Sequence, residues 1–80
     1  MKIKVKFFAR YREAIGLDET LVDGEFRTVE DVRQHLLQGV GAPVLGEQNL
    51  MCARNEELCQ LAEPLADGDE VAFFPTVTGG

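Results

Sequence analysis

The chain has 80 residues, of which 45% are hydrophobic and 28% are charged, and this length supports one domain with a small core. Fourteen acidic and eight basic residues give a formal charge of -6, which argues against binding to nucleic acid or to an anionic membrane, because both require clustered Lys and Arg. We therefore expect residues 1–80 to form a single acidic domain without room for a deep catalytic cleft.

The cysteines and the amino terminus predict the compartment. Cys52 and Cys59 are too few for a disulfide framework or a four-ligand zinc site, so packing roles are favoured for both thiols. The opening MKIKVKFF alternates Lys with apolar residues and does not resemble a signal peptide, and no segment is as long as a membrane span. These features predict a cytoplasmic protein.

The first half of the chain predicts a strand, a helix, a strand and a longer helix. Residues 2–8 alternate strictly, which is typical of a half-buried strand, and residues 9–16 predict a short helix that ends at a glycine. Residues 19–27 predict a second strand with a turn near its end. Thr28 is a natural N-cap for a helix over residues 29–39, whose apolar residues recur on one face.

The second half of the chain predicts mainly strands. Residues 39–49 contain three glycines and one proline, and we expect a loop there with a short helical turn. A turn is expected at Asn55-Glu56. Strands flanked by turns are expected at residues 50–54, 58–61 and 70–74.

This order predicts an α+β fold in which a mixed sheet packs on one main helix, with a short additional helix. The expected core consists of apolar residues on the inward faces, namely Ile3, Val5, Phe7, Leu21, Val29, Val32, Leu36, Met51, Leu65, Val71 and Phe73. Because successive side chains of a strand point to opposite faces, Phe8, Ala72 and Phe74 are expected to point outward; we call this rule strand parity. Because the first and last strands are expected to be neighbours, the two rings would lie side by side as a surface for docking a partner.

Few side chains are suited to catalysis. His35, the one histidine, lies within the main helix and outside any nucleophile motif, so we expect it to be exposed and passive. No phosphate-binding loop is present, and the acidic turn at Asp67 lacks the ligand pattern of a calcium loop. We therefore expect a chain that is not an enzyme on its own and that binds neither a metal nor a cofactor.

The carboxyl end is the exception. It runs from an aromatic pair into PTVTGG, in which Pro75 lacks an amide proton and so ends strand pairing. Residues 75–80 are expected to form a flexible tail of about 20 Å when extended. The two terminal glycines lack side chains, so the backbone could thread a narrow channel of a partner and present its carboxylate there. The threading residues would be Val77, Thr78 and Gly79, and the reactive carboxylate would be that of Gly80. That carboxylate needs activation, most simply by ATP on an external enzyme.

Three stretches together resemble the small, sulfur-carrier subunit of molybdopterin synthase, a ubiquitin-like β-grasp family. They are KVKFFARYREAIG, TVEDVRQHL and LADGDEVAFFPTVTGG, and they cover about half of the chain. The family usually has a second proline where this chain has Thr76. The terminal glycine pair, which carries the chemistry of the family, is intact.

The resemblance implies that Gly80 is adenylated by a ubiquitin-activating-like adenylyltransferase that uses ATP, and that a sulfurtransferase or cysteine desulfurase system then converts it to a thiocarboxylate. It implies a heterotetrameric molybdopterin synthase in which the large subunit supplies the active site. There the tail would donate its sulfur to cyclic pyranopterin monophosphate, which becomes molybdopterin. Partner contacts are implied for Phe8, Leu58 and Phe74, and strand parity selects the two aromatic residues independently.

Other functions share this fold and the glycine pair. They include a sulfur carrier for thiamine or tRNA thiolation and a ubiquitin-like modifier attached to lysine. The stretches FFARYRE and DGDEVAFFPTVTGG favour the molybdopterin family over the thiamine carrier. The alternative from another class is a β-grasp binding module with a fortuitous tail. Deletion of Gly79 and Gly80 separates these classes, because only a carrier would keep docking and lose sulfur delivery.

Overall fold

The computed structural model describes residues 1–39 and 43–76, which form a five-stranded mixed sheet with helices packed on one face. The five strands are β1 (Lys2–Phe7), β2 (Glu19–Asp23), β3 (Met51–Arg54), β4 (Glu57–Cys59) and β5 (Glu70–Phe74). The helices are α1 (Ala9–Ile15), α2 (Val29–Gly39) and a 3₁₀ helix (Pro43–Gly46).

The sheet has the strand order β2-β1-β5-β3-β4. The first and last strands pair in parallel, whereas the other neighbouring strands pair antiparallel. In the parallel pair Val5 lies opposite Val71 and Phe7 lies opposite Phe73, so the apolar residues of both strands share the face that the helices cover. The predicted neighbour relation of the first and last strands is therefore confirmed.

The carboxyl end of α1 and the amino end of α2 agree with the sequence prediction. Helix α1 ends at Gly16, which has a left-handed φ of 84° and donates its amide hydrogen to the carbonyl of Arg12 at 2.9 Å. At the start of α2 the Asp31 carboxylate accepts hydrogen bonds from the backbone amides of Arg27 and Thr28, while the Thr28 hydroxyl accepts one from the Asp31 amide.

Across residues 1–39 and 43–76, no helix has both the length and the apolar character needed to cross a membrane.

The predicted core is right for β1, β5 and α2 and wrong for two other residues. Leu21 is 64% exposed and Met51 is 37% exposed. The register explains both errors, because Val22 pairs with Ile3 and Cys52 pairs with Phe73 on the helix-covered face. A shift of one residue along a strand moves a side chain to the opposite face. Leu65, which was also assigned to the core, is partly buried against it.

Several further residues enter the core from outside the observed strands, namely Tyr11, Phe26 and Leu45. The second strand ends at Asp23 instead of residue 27, and the chain then turns the Phe26 ring inward. Gly24 permits this turn, since a Cβ atom there would lie 3.0 Å from the Phe26 ring.

The fourth strand ends at Cys59, two residues before the end of the predicted span of residues 58–61. The carbonyl groups that follow face the start of α2 instead of a strand. The amides of Val29 and Glu30 donate to the carbonyls of Glu63 and Leu61 at 3.1 and 2.9 Å. The segment thus satisfies free amide groups at the helix amino terminus.

A buried carboxylate ties β5 to the β3–β4 hairpin. Asp69 accepts hydrogen bonds from the Arg54 guanidinium at 2.7 Å, the Asn55 amide group at 3.0 Å and the Ala66 backbone amide at 2.8 Å. Burial by itself raises the pKa of this carboxyl, but the hydrogen bonds outweigh burial and hold its pKa below the usual value. Asp69 therefore stays ionised at neutral pH.

Candidate docking surface and carboxyl end

The sheet face that lies away from the helices carries an apolar groove, which we call the outer groove. Its principal lining residues are Phe8, Ala53, Leu58, Ala72, Phe74 and Pro75. Leu58 is 68% exposed and Phe8 is 46% exposed, while Phe74 is half-buried. Exposed apolar side chains that converge on one concave surface are typical of a site for binding another protein.

Strand register builds the floor of the outer groove. Ala72 lies between Lys6 of β1 and Ala53 of β3, and Ala53 lies opposite Leu58 of β4. All four side chains therefore point to one face of the sheet. The two alanines at the centre are small and buried, so the larger residues around them form raised walls. An ion pair between Lys6 and Glu70, with 3.5 Å between Nζ and Oε1, lies among the same lining residues.

The wall formed by Phe8 depends on the backbone that joins β1 to α1. Phe8 is extended, and its amide donates to the carbonyl of Phe73 at 3.3 Å, which holds it beside β5. Ala9 then adopts a positive φ of 54°, so the chain changes direction immediately after the ring. The two outward aromatic residues consequently line the same groove.

Strand parity placed the outward residues correctly but overestimated their exposure. Phe8 is exposed, as predicted, whereas Phe74 is half-buried and Ala72 is buried. Ala72 is covered because β5 is the central strand, so its small side chain lies between Lys6 of β1 and Ala53 of β3. Leu58 shares the groove, and the sequence pointed to it only through the family resemblance. Ala53 was missed, although a small outward residue on a central strand is a signal for such a floor.

The outer groove extends to the residues where the chain leaves the sheet, Pro75 and Thr76. The Thr76 hydroxyl donates a hydrogen bond to the carbonyl of Asn49. Strand β5 ends at Phe74, one residue before the proline that was predicted to stop pairing. The tail residues Val77, Thr78, Gly79 and Gly80 lie outside the described residues, and their roles in threading and sulfur transfer stay predictions.

An ionic and hydrogen-bonded network fixes the segment next to Asn49. The Arg10 guanidinium donates two hydrogen bonds of 2.7 Å to the Glu47 carboxylate, and the Tyr11 hydroxyl donates a third at 2.8 Å. Burial and the hydrogen bond to Glu47 raise the pKa of Tyr11 to about 12, and the hydrogen bond from Arg10 lowers the pKa of Glu47. Neither group changes protonation near neutral pH, so both are suited to positioning and not to proton transfer.

The remaining candidate groups are one histidine and two cysteine thiols. His35 is exposed, as predicted, and its ring meets the Phe26 ring edge-on with 5.3 Å between centroids. Within residues 1–39 and 43–76, no group of three or more His, Cys, Asp or Glu side chains could hold a metal ion. Cys52 and Cys59 are free thiols, and burial raises the pKa of Cys52 to about 12.

The parallel pairing of the terminal strands, with β3 and β4 beside them and one main helix across a single face, defines a ubiquitin-like β-grasp protein. The chain belongs to the ThiS family, whose family model matches residues 5–80. The predicted fold class and the family resemblance are thus confirmed.

Named relatives match over the full length of the chain. It is 50% identical over 80 residues to the molybdopterin synthase sulfur carrier subunit of Escherichia coli (strain K12), and the match covers 98% of this chain and 99% of the relative. The crystal structure of SAMP1 from Haloferax volcanii superposes with a TM-score of 0.84 at 30% identity and covers 100% of both chains. A complex of subunits 1 and 2 of the molybdopterin-converting factor from Helicobacter pylori contains a chain with a TM-score of 0.69 at 25% identity, again over 100% of both chains.

Proposed function

We propose that this chain is a sulfur carrier in molybdenum cofactor biosynthesis and serves as the small subunit of molybdopterin synthase. Its Gly80 carboxylate would be adenylated, converted to a thiocarboxylate and used as the sulfur donor to cyclic pyranopterin monophosphate. The observation that carries the proposal is the outer groove, which leads along the sheet to Pro75 and Thr76, where the chain departs toward Gly80. The full-length match to a named sulfur carrier subunit supports this reading.

The outer groove is suited to dock large partners one at a time. Docking would remove the exposed apolar surface of Phe8 and Leu58 from water, which favours binding. The small alanines at the floor of the groove leave room for a side chain of the other protein. The Helicobacter pylori structure, in which subunits 1 and 2 form a complex, supports a large subunit as one such partner. We assign the same groove to the adenylyltransferase, because that enzyme must also receive the tail.

The chemistry divides between this chain and its partners. An external enzyme would bind ATP and join the Gly80 carboxylate to AMP with release of pyrophosphate, since the sequence has no phosphate-binding loop. The persulfide of a sulfurtransferase or cysteine desulfurase system would then displace AMP to give an acyl disulfide, and a thiol would attack that disulfide and release the Gly80 thiocarboxylate. The resulting thiocarboxylate is soft, ionised and nucleophilic, and the large subunit would supply the active site in which it attacks the pterin precursor.

A ubiquitin-like modifier is the second candidate. A solved relative is called small archaeal modifier protein 1 from Haloferax volcanii, with a TM-score of 0.81 at 29% identity. In a modifier, a lysine amine of a target would displace AMP from the activated Gly80, and an isopeptide bond would form. The two functions therefore share activation and differ in the nucleophile that follows.

The test is reconstitution with the cognate activating enzyme, a sulfur donor, ATP and the large subunit. We expect the full-length chain to support formation of molybdopterin, and we expect a chain without Gly79 and Gly80 to bind the large subunit equally well and support none. Product formation by the shortened chain would refute the proposal. A full-length chain that forms isopeptide conjugates and no product would favour the modifier.

A further inference from the structure

Two thiols face each other across the hairpin formed by β3 and β4. Cys52 and Cys59 are directly opposite in the antiparallel register, and their Sγ atoms are 3.7 Å apart. Opposite residues of an antiparallel pair have Cα atoms roughly 4.5 to 5.5 Å apart, which falls within the range that disulfides span. The Cys52 thiol also lies 3.4 Å from the Cys59 carbonyl, which accepts its hydrogen.

We propose that Cys52 and Cys59 are a redox modification site, which a low-molecular-weight disulfide converts into an intrachain disulfide that clamps the β3–β4 hairpin. This site is separate from the sulfur chemistry proposed for the tail. It requires the two Sγ atoms, which are 3.7 Å apart, to approach to the roughly 2.05 Å of a disulfide bond.

The two thiols have different access to solvent, which gives the reaction an order. Cys52 is only 3% exposed, whereas Cys59 is partly exposed and lies in a surface depression with Arg54 and Glu63. The Cys59 thiolate would attack one sulfur of the small disulfide and release one small thiol. Cys52 would then lose its proton, attack the Cys59 sulfur of the mixed disulfide and release the second small thiol. Two protein thiols are thereby oxidised and one small disulfide is reduced to two thiols.

The surroundings keep the pair reduced until such an oxidant accumulates. Burial raises the pKa of both thiols, and that of Cys52 reaches about 12. Because only the thiolate attacks, exchange is slow at neutral pH and accelerates as pH rises. This behaviour suits a pair that responds to sustained oxidation.

The clamp would act on the docking surface. Strand β4 has three residues and lies at the sheet edge, where it carries Leu58 into the outer groove. The hairpin turn is already tight, since Asn55 and Glu56 have positive φ values of 49° and 72°. A covalent bond at its open end would fix the hairpin at both ends. The short loop that this bond closes predicts a rise in Tm of roughly 10 to 20 °C.

The test uses the full-length chain and oxidised glutathione at about pH 8.5, near the usual pKa of a thiol. We expect the intact mass to fall by two hydrogens, peptide mapping to join the segments that contain Cys52 and Cys59, and Tm to rise relative to the reduced protein. Cys52→Ala should retain a stable glutathione adduct on Cys59, and Cys59→Ala should react much more slowly.

Three results would overturn the inference. They are separate glutathione adducts on both cysteines of the unaltered chain, a disulfide between two copies, and thiols that stay free at equilibrium. A disulfide that leaves Tm unchanged or lowers it would overturn the clamp. The mass and mapping results come from the unaltered chain, so they do not depend on the folding of a variant.

Discussion

Two exposed leucines on the same sheet face provide a direct test of the outer groove. Leu58 is 68% exposed on β4 and Leu21 is 64% exposed on β2, and these strands form opposite edges of the sheet. Leu58 lines the outer groove, whereas Leu21 does not. Leu58→Ala and Leu21→Ala are therefore matched changes that differ in position on the face.

The expected size of the effect follows from exposure. Complete burial of a leucine side chain contributes about 1.5 to 3 kcal/mol, so a side chain that is 68% exposed has about 1 to 2 kcal/mol left to gain on docking. Leu58→Ala should therefore raise the Kd for the large subunit roughly 5- to 30-fold. Leu21→Ala should leave the Kd unchanged, and both variants should change the free energy of unfolding by less than about 0.5 kcal/mol.

Titration calorimetry with the large subunit gives the Kd, and urea unfolding of each isolated variant gives stability. Equal losses of affinity for the two variants would refute the outer groove as the docking surface. A large loss of stability for Leu58→Ala would show instead that Leu58 supports the fold, and any binding defect would then be indirect.

The adjacent residues Phe73 and Phe74 should respond differently to substitution. Phe73 is buried, so Phe73→Ala should lower the free energy of unfolding in urea by about 3 to 5 kcal/mol. Phe74 is half-buried, so Phe74→Ala should lower it by about 1 kcal/mol and should weaken binding to the large subunit more than it affects stability. Comparable destabilisation by both changes would contradict the assigned faces. Because the pKa of Asp69 is lowered on folding, its stabilisation is present above the unfolded pKa of about 3.9 and is lost as pH falls through the lower folded value. Asp69→Asn should lower the free energy of unfolding by about 1 to 3 kcal/mol at neutral pH. The free energy of unfolding of this variant should also fall less steeply than that of the unaltered chain as the pH decreases, and an equally steep fall would contradict the role of Asp69. Gly80→Ala should impair activation or sulfur transfer with an unchanged Tm, and a marked fall in Tm would show that the tail supports the fold.

The sequence predicted the fold where one periodic pattern was unambiguous. Strict alternation over β1 places Ile3, Val5 and Phe7 correctly, and Thr28 begins α2 as expected. Strands with two adjacent apolar residues are different. In β2 and β3 the alternation fits either face, and only pairing with β1 or β5 decides which residue points inward.

Other core residues depend on contacts that are distant in sequence. Phe26 turns inward after a strand that is shorter than its pattern indicates, and Leu45 enters from the 3₁₀ helix beside α2. Local sequence contains no signal for such contacts, because they arise when the elements pack together.

The candidate site was predictable in part. Parity found Phe8 and Phe74, and the family resemblance added Leu58, but the alanine floor required the observed register of three strands. The pairing of the two thiols also has a signal in the sequence. Counting outward from the predicted turn at Asn55-Glu56 places Cys52 opposite Cys59, as the structure shows.

The central claim is that Gly80 carries sulfur, and the intact mass of the chain tests it most directly. The chain would be purified with its cellular sulfur machinery beside a version that lacks Gly80. Because oxidation of a methionine changes the mass by nearly the same amount as replacement of oxygen by sulfur, thiocarboxylate-selective labelling would distinguish the two. We predict replacement of one oxygen by sulfur, confined to the full-length carboxyl end. An unmodified end in the presence of the activating enzyme, the sulfur donor and ATP would contradict the claim and favour a β-grasp binding module.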